Sequence, residues 1–327
     1  MNLDSDKIWI TWERQRRSLV LAEQFSAKYF VYDYLFSNFM FRYIVLSLIT
    51  LRLLIKEKPK YVFCQNPSLI LAFLLCLIKV IFGYVLIVDR HSNFRFGKQN
   101  KIVDIVFNLI SNYTIKKADL TIVTNNYLCN LVCQKGGRGA VLEDKLPDLT
   151  LGISTEMKGD VNVVLVSSFS RDEPLDEVIN SFEGLEGYHL YVTGNYKKHA
   201  KYLKLVNNLP NNITFTGYLS ELEYQSLLKS SDIIIVLTTH EHTLTCGAYE
   251  GVALGKPLIL SDTEAIRNYF RKGVVYTKSD RNDIRENLIN CVKNIEKLKN
   301  DIIVLRVELD ADWKYKFMEL KKLNFIQ

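Results

Sequence analysis

Short apolar runs punctuate this chain, and between them apolar residues recur every three or four positions. Runs at 61–65, 84–88, 161–166 and 232–237 show little alternation with polar residues, which is typical of strands covered by helices on both faces. The periodic segments at 38–56, 98–117, 220–230, 280–299 and 302–323 predict helices. Strands alternating with helices indicate an α/β protein built on parallel sheets.

Chain length and composition bound the number of domains. The 327 residues, of which 48% are hydrophobic, are enough for two domains with separate cores. A polar stretch at 145–158 is the predicted linker. We therefore expect one domain over 1–150, a second over 151–300, and a closing helix over 301–327.

Residues 68–88 form the one segment that invites a transmembrane interpretation. Lys79 lies near its centre, and a charge there costs about 2.5–3.5 kcal/mol on membrane-insertion scales. Gly83 divides the segment into a helix-sized piece and a β-branched piece. A helix followed by a strand is therefore the preferred prediction, with shallow membrane contact as a further expectation.

Charge is spread unevenly along the chain. Residues 1–150 contain 20 Lys and Arg against 12 Asp and Glu, whereas the remainder contains 22 against 24. A basic N-terminal half suits an anionic membrane surface or a phosphorylated acceptor. Nucleic acid is not expected as a partner, because no nucleic-acid-binding motif is present. Six cysteines without a regular framework, and no secretory signal peptide, predict a cytoplasmic location.

The segment 238–270 carries the clearest functional pattern. An apolar strand at 232–237 leads into a polar loop, then a helix that opens near Gly247 and stops at Gly255. A helix N-terminus at the carboxyl end of a parallel strand suits a phosphate. We expect Gly247 and Ala248 to let a ligand approach the backbone. Glu250, placed in the first turn, could accept hydrogen bonds from ribose hydroxyls.

Two polar clusters follow predicted strands in the N-terminal half. Asp89 and His91 come at the end of one strand, where His91 could contact a sugar or act as a base, and Asp89 could orient it or be the base itself. A basic loop follows the first strand, and it could grip a diphosphate or simply be a solvated face. Its residues are Trp12, Arg14, Arg16 and Arg17.

The segment 230–270 resembles the sugar-nucleotide signature of GT-B glycosyltransferases, in particular the group 1, family 4-like enzymes. The resemblance implies two Rossmann-like doubly wound domains facing a central cleft, and a C-terminal helix that packs back on the first domain. It also implies that Glu250 holds the donor ribose and that Glu241 contacts the sugar, although Glu241 stands nine positions before Glu250 rather than eight.

Further donor contacts follow from the same resemblance. The family usually places Arg and Lys after the first strand of the second domain, and here Ser168 and Glu173 occupy those places, with Arg171 as a possible substitute. The implied donor-binding residues besides Glu250 are Thr245, Cys246, Gly247, Ala248, Arg171, Ser168, Gly217 and Tyr218. The loop carrying Trp12, Arg14, Arg16 and Arg17 faces the acceptor in this family.

A finer resemblance links the chain to the dolichol-linked chitobiose β-mannosyltransferases. Gln65-Asn66-Pro67 and Asp89-Arg90-His91 match motifs of that family, with Arg90 in the place of a Trp. Asp172-Glu173 matches an acidic stretch in its second domain.

The resemblance implies transfer of a sugar from a UDP- or GDP-linked donor to a hydroxyl of a lipid-diphosphate-linked saccharide, peripherally at the inner face of the membrane. No metal is expected. With inversion, Asp89 or Glu13 would take the acceptor proton, whereas retention needs no base, and the sequence leaves both open. The alternatives are a sugar-nucleotide epimerase and a catalytically silent partner subunit that binds nucleotide or membrane.

Overall fold

The computed structural model describes residues 4–34, 38–65, 68–91 and 101–323, and the chain divides into two compact units. Unit 1 comprises residues 1–145 and 313–327, and unit 2 comprises residues 146–312. The boundary falls at the start of the predicted linker at 145–158. The C-terminal segment belongs to unit 1 from residue 313, compared with 301 in the prediction.

Unit 1 is an α/β unit on a six-stranded parallel sheet. Its elements are β1 (Asp4–Thr11), α1 (Arg16–Gln24), β2 (Ala27–Val31), α2 (Phe39–Glu57), β3 (Tyr61–Gln65), α3 (Leu69–Phe82), β4 (Val85–Asp89), α4 (Lys101–Lys117), β5 (Leu120–Val123), α5 (Asn126–Gln134) and β6 (Gly139–Val141). The strand order is β2-β1-β3-β4-β5-β6, so the direction of winding reverses after β2.

Helices cover both faces of this sheet. On one face, α2 and α3 bury Leu46, Leu54 and Leu75 against the strands. On the other face, Phe25 at the end of α1 packs with Phe317 from the last helix of the chain, their ring centroids 4.9 Å apart. The strands are therefore buried on both sides, which explains their continuous apolar sequences.

Residues 68–88 form a helix and then a strand, as predicted. α3 ends at Gly83, whose φ of +71° lies in the left-handed region that favours glycine. β4 begins two residues later, and Lys79 of α3 pairs with Asp119 at 2.6 Å. Within the described ranges, no helix is both long and apolar enough to cross a membrane.

Unit 2 repeats the plan on a second six-stranded parallel sheet. Its elements are β7 (Val161–Leu165), α6 (Leu175–Ser181), β8 (Tyr188–Thr193), α7 (Ala200–Leu205), β9 (Ile213–Gly217), α8 (Glu221–Ser230), β10 (Ile233–Val236), α9 (Cys246–Leu254), β11 (Leu258–Ser261), α10 (Glu264–Tyr269), β12 (Val274–Thr277), α11 (Arg281–Lys293) and α12 (Ile295–Lys322). The strand order is β12-β11-β10-β7-β8-β9.

Local signals at the helix ends of unit 2 agree with the sequence. Ser220 and Glu223 form a capping box at the start of α8, where Glu223 Oε2 accepts from the Ser220 amide at 2.8 Å. Gly255, with a φ of +68°, ends α9. These two signals fix the helices on either side of the strand β10.

Two boundaries differ from the prediction. The closing helices break at Asn294 instead of near residue 300, and α12 then runs for 28 residues. Asn294 after Lys293 is a possible stop signal that the prediction did not use, because the helical pattern continues on both sides of it. The short helix α7 was not anticipated either. The motif residues Asn66 and Pro67, and residues 98–100 of a predicted helix, lie outside the described residues.

Candidate functional site

The strand order of unit 2 places a crevice between β7 and β10. From β7 the chain winds through β8 and β9 to one edge, and from β10 it winds through β11 and β12 to the other. At such a switch point the loops leaving the carboxyl ends of the two strands separate, and α/β proteins bind ligands there. The loop after β7 and the loop between β10 and α9 therefore define the candidate donor site.

The loop after β7 is organised around one carboxylate. Glu173 accepts hydrogen bonds from Ser167 Oγ at 2.7 Å, from the Ser168 amide at 3.0 Å and from Ser168 Oγ at 2.7 Å. Arg171 extends from the same loop and is exposed. The loop thus carries an anion at the place where the family resemblance predicts a cation, and Arg171 is its one basic residue.

A second carboxylate ties the two loops together. Asp172 accepts from Thr238 Oγ1 at 2.7 Å, and its carbonyl accepts from the Thr239 amide at 2.8 Å. Burial opposes ionisation of Asp172, but hydrogen bonds from Ser170 and Thr238 outweigh it and lower its pKa. The sequence did not identify this contact, because the two residues are 66 positions apart.

The N-terminus of α9 contains a buried hydroxyl group. Thr245 is the N-cap residue, a position where a Thr side chain normally accepts from an amide of the first turn. Here it makes no such bond, and its buried Oγ1 has no hydrogen-bond partner within the described part of the chain. Buried polar atoms are rarely left in this state, so the atom marks a position suited to a ligand.

Gly247 has a packing role that the sequence did not predict, and the Ala248 amide is engaged within the helix. A Cβ on Gly247 would lie 2.8 Å from Val166 Cγ1 and 3.0 Å from Val236 Cγ2, so glycine is needed for packing α9 on the sheet. Ala248 is fully buried, and its amide donates to the Thr245 carbonyl at 3.1 Å. Cys246, the first helical residue, is exposed.

Glu250 lies in the second turn of α9, not in the first, because the helix begins at Cys246. Its side chain is 8% exposed, and Tyr224 Oη of α8 donates to Glu250 Oε2 at 2.5 Å. Tyr224 is a site residue that the sequence missed. Tyr224 directly follows the capping-box residue Glu223. Counting helical positions from this cap could have placed Tyr224 on the side of α8 that faces α9.

Glu241 has a structural contact that competes with the predicted sugar contact. Its Oε1 accepts from the amide of Glu264 at 2.6 Å, and Glu264 is the first residue of α10. A carboxylate at a helix N-terminus is stabilised by the unpaired amides there. Gly217 ends β9 with a φ of +73°, and the adjacent Tyr218 is exposed.

In unit 1, the end of β4 carries a buried ion-pair network. Arg17 donates to Asp89 from Nε and Nη2 and to Asp144 from Nη1 at 2.5 Å. His91 Nδ1 lies 3.2 Å from Asp89 Oδ2. Burial alone would raise the pKa of Asp89, but the charges and hydrogen bonds of Arg17 and His91 lower it to about 2.

This network corrects two predicted roles. Asp89 is buried, ion-paired and weakly basic, so it does not fit the role of a general base. Arg17 is buried in the same network and its guanidinium is fully engaged, so it is not an acceptor-gripping residue. Asp144, which completes the network, had no signal in the sequence because it lies in a polar, unpatterned stretch.

The basic loop after β1 splits into buried and exposed residues. Trp12 is buried and its Nε1 donates to Thr50 Oγ1 at 3.1 Å, so it belongs to the core and not to an acceptor surface. Arg14 is exposed and pairs with Asp33 at 3.1 Å. Glu13 and Arg16 are exposed as well. Three of the five predicted residues of this loop therefore face solvent.

The described part of the chain offers no cluster of metal-ligating side chains. Across the described ranges, no group of three or more His, Cys, Asp and Glu side chains is arranged to hold an ion.

Comparison with known proteins gives a family match within unit 2. Residues 153–303 match the family model for glycosyl transferases group 1. No sequence among curated proteins matches the chain.

Solved structures share the fold over nearly the whole chain. Sucrose-phosphate synthase from Thermosynechococcus elongatus is 14% identical with a TM-score of 0.74, covering 91% of this chain and 82% of its own. HepE of Anabaena in complex with UDP-glucose is 13% identical with a TM-score of 0.72, covering 96% and 92%. A proposed UDP-N-acetylglucosamine 2-epimerase from Listeria monocytogenes is 13% identical with a TM-score of 0.62, covering 96% and 97%. Residues 153–303 are therefore similar to group 1 glycosyl transferases, and the two doubly wound units have the GT-B fold.

Proposed function

We propose that this protein is a glycosyltransferase that moves a sugar from a nucleotide-sugar donor to an acceptor hydroxyl. The observation that carries the proposal is the N-terminus of α9 at the β7/β10 switch point. There the Thr245 hydroxyl is buried without a partner among the described residues, and Glu250 follows one turn into the helix. The match of this unit to the group 1 family supports the same assignment.

The donor diphosphate is assigned to the first turn of α9. Amides of Cys246 and Gly247 and the hydroxyl of Thr245 supply donors, and the positive end of the helix dipole favours the anion. The Ala248 amide already donates to Thr245, so it is left out of this set. Arg171 lies on the facing loop and supplies the positive charge. Preorganised donors of this kind stabilise charge that develops on a leaving diphosphate.

The ribose of the nucleoside is assigned to α9, and the base is assigned to the end of β9. Glu250 accepts from the ribose hydroxyls, and its bond from Tyr224 holds the carboxylate in place. Gly217 and Tyr218 receive the base, with the exposed Tyr218 ring available for stacking. Ser168, whose amide and hydroxyl both donate to Glu173, shapes the loop above the sugar. HepE of Anabaena, which has this fold, binds UDP-glucose, so UDP is the first donor nucleotide to test and GDP the second.

On the acceptor side, His91 takes the role that Asp89 does not fit. His91 Nδ1 lies 3.2 Å from Asp89 Oδ2, and a proton on Nδ1 donated to Asp89 would leave Nε2 to contact a substrate hydroxyl. Asp89 acts as a positioning residue. Glu13, exposed on the loop after β1, is the remaining carboxylate that could accept a proton in an inverting reaction. Glu241 keeps its sugar-contacting role through Oε2, since the bond from the Glu264 amide uses Oε1.

The acceptor is proposed to be a lipid-diphosphate-linked saccharide in surface polysaccharide or glycan assembly. Exposed Arg14 and Arg16 suit a diphosphate, and the basic balance of residues 1–150 suits an anionic membrane surface. The protein would then act peripherally at the cytoplasmic face. Similarity to chitobiose β-mannosyltransferases supports a hexose such as mannose, and Arg90 in the place of the Trp departs from that family.

Binding calorimetry with UDP, GDP, ADP and CMP in the presence of EDTA tests the donor site. One nucleotide should bind saturably, and Glu250→Ala should weaken it by at least tenfold. Glu286→Ala, which removes an exposed carboxylate from α11, is the control and should bind like the wild type. If none of the four nucleotides binds to protein that is folded by circular dichroism, the donor-site assignment is wrong.

Two alternative functions remain to be separated by product analysis. An epimerase is favoured by the similarity to the Listeria protein, and it would convert free UDP-sugar with no acceptor present. A silent partner subunit is favoured by Glu173 in the loop where the family carries cations. It would release no nucleotide from any donor sugar. Nucleotide release that depends on added acceptor supports the glycosyltransferase.

A further inference from the structure

The outer surface of unit 1 carries an unusual concentration of exposed apolar side chains. Helices α2, α3 and α4 lie side by side. Helix α2 packs beside α3, and the ring centroids of Phe73 on α3 and Tyr113 on α4 are 5.5 Å apart. On the described residues of these three helices, twelve large apolar side chains are exposed. They are Met40, Phe41, Ile44, Leu48 and Ile55 on α2, Leu77, Val80 and Ile81 on α3, and Val103, Ile105, Val106 and Leu109 on α4.

We propose that this face, the α2–α4 face, is a docking surface for an anionic lipid bilayer. The exposed apolar residues of α2 cluster on one side of the helix, away from the side that packs on the sheet. On this face the most exposed apolar side chains are Val80 at 89% and Ile81 at 79%. Monomeric proteins rarely expose large apolar patches unless another molecule covers them.

Charge on and around this face selects the covering molecule. Residues 39–83 and 101–117 contain nine Lys and Arg and two acids, Glu57 and Asp104, and Glu57 is paired with Lys28 at 2.9 Å. Exposed basic residues lie near the C-terminal ends of two of the helices: Arg52 and Lys56 on α2, and Lys116 and Lys117 on α4. An apolar face with a basic rim suits acyl chains bordered by anionic headgroups.

A second copy of the chain fits this face less well. A symmetric contact would bring together two surfaces with the same net positive charge, and this repulsion opposes association. A bilayer supplies the opposite charge along the whole rim. The inference deepens the peripheral location in the proposed function and rests on it for its setting, but its physical basis is the exposed face alone.

Sedimentation with lipid vesicles tests the proposal. The full chain should bind vesicles of phosphatidylcholine containing phosphatidylglycerol, and binding should weaken with added salt. Val80→Glu/Ile81→Glu should reduce vesicle binding by at least about tenfold. Arg52→Gln/Lys56→Gln should also reduce it, by about fivefold for each lost charge. The control Leu203→Glu changes a residue of α7 in unit 2 that is 47% exposed, and it should bind like the wild type.

Several outcomes would overturn the proposal. One is failure of the folded wild-type protein to bind the vesicles that contain phosphatidylglycerol while it still binds its nucleotide. Another is a stable dimer or hetero-complex, seen by light scattering, that Val80→Glu/Ile81→Glu dissociates, because another protein would then cover the face. If the wild-type protein binds vesicles but no nucleotide, the donor-site assignment is wrong and the docking proposal stands. Because Val80 and Ile81 bury little, a folding defect in that variant is not expected, and circular dichroism checks this.

Discussion

Arg17 donates two hydrogen bonds to Asp89 Oδ1, from Nε at 3.0 Å and from Nη2 at 2.9 Å, in the buried region at the end of β4. The same guanidinium donates to Asp144 and to the Leu142 carbonyl. A planar five-donor group is suited to satisfying several acceptors at once. Arg17 therefore joins α1, β4 and the segment after β6. It also holds in place the Asp89 carboxylate that contacts His91.

Replacing Arg17 should destabilise the protein strongly. Arg17→Met leaves the buried Asp89 without its cation, and breaking a buried pair in this way costs about 3–5 kcal/mol. Urea unfolding measures the change in the free energy of unfolding. Arg14→Met is the control on the same loop, since Arg14 is 79% exposed and its pair with Asp33 contributes under about 1 kcal/mol. Equal effects for the two variants would contradict this account.

The low pKa of Asp89 predicts its behaviour in acid. Because the folded-state pKa of about 2 is below the ordinary value of 3.8, ionised Asp89 contributes about 2 kcal/mol above pH 4. That contribution should be lost as the pH falls from about 4 to about 2. Carboxyl carbon NMR of Asp89 should show no titration above about pH 3. A midpoint near 4 would mean that the Arg17 pair is not formed in solution.

Catalysis should reflect the same property. Since Asp89 stays ionised from pH 5 to pH 9, any acidic limb of the rate profile in that range must come from another group. His91→Asn should lower kcat by about 100-fold or more if the ring acts on the acceptor, with nucleotide affinity unchanged. Loss of nucleotide affinity in His91→Asn would place His91 in the donor site instead.

A methyl group added at Gly247 should disturb the start of α9. In Gly247→Ala the new Cβ would meet Val166 and Val236, which belong to the sheet, and overpacking of this kind costs about 1–3 kcal/mol. Nucleotide affinity should fall with stability, because the helix N-terminus shifts. Gly251→Ala is the matched control in the same helix, since its Cβ would meet Cδ2 of Leu258, the terminal methyl of a side chain away from the helix N-terminus. Gly251→Ala should lose stability but keep nucleotide affinity, as calorimetry would show.

Glu173 should influence the donor site in two separable ways. Glu173→Gln keeps an acceptor for Ser167 and Ser168 but removes a negative charge near the proposed diphosphate, so UDP should bind about two- to fivefold more tightly. Glu173→Ala leaves those donors unpaired and loosens the loop, so UDP should bind more weakly. Calorimetry that finds the same change in both variants would show that the charge of Glu173 does not act on the ligand.

The strands could be predicted from sequence because burial on both faces leaves a continuous apolar run, as at β3 and β10. The start of α9 could not be fixed as well. Thr243 and Thr245 are both residues that can cap a helix, so the sequence leaves the start ambiguous. The start was predicted near Gly247 and lies at Cys246, and this shift of one residue moves Glu250 from the first turn to the second. Such a shift changes which amides can reach an anion, although the fold is unaffected.

The loop after β1 shows a further limit of sequence reasoning. Three arginines follow within four positions, and nothing in their local sequence distinguishes Arg17, which is buried, from Arg14 and Arg16, which are exposed. The distinction depends on Asp89 and Asp144, which are 72 and 127 positions away. The same holds for Trp12, whose burial depends on Thr50.

The division of α12 between the two units affects the order in which the protein can mature on the ribosome. Trp313, Phe317 and Leu320 complete the core around Trp9 and Phe25, and Trp313 Nε1 donates to the Glu143 carbonyl at 3.0 Å. Strand β1 is thus synthesised before the residues of α12 that close its apolar surroundings. Unit 1 therefore stays incomplete while residues 146–312 of unit 2 are translated, and its open apolar core must be kept from aggregation over that interval.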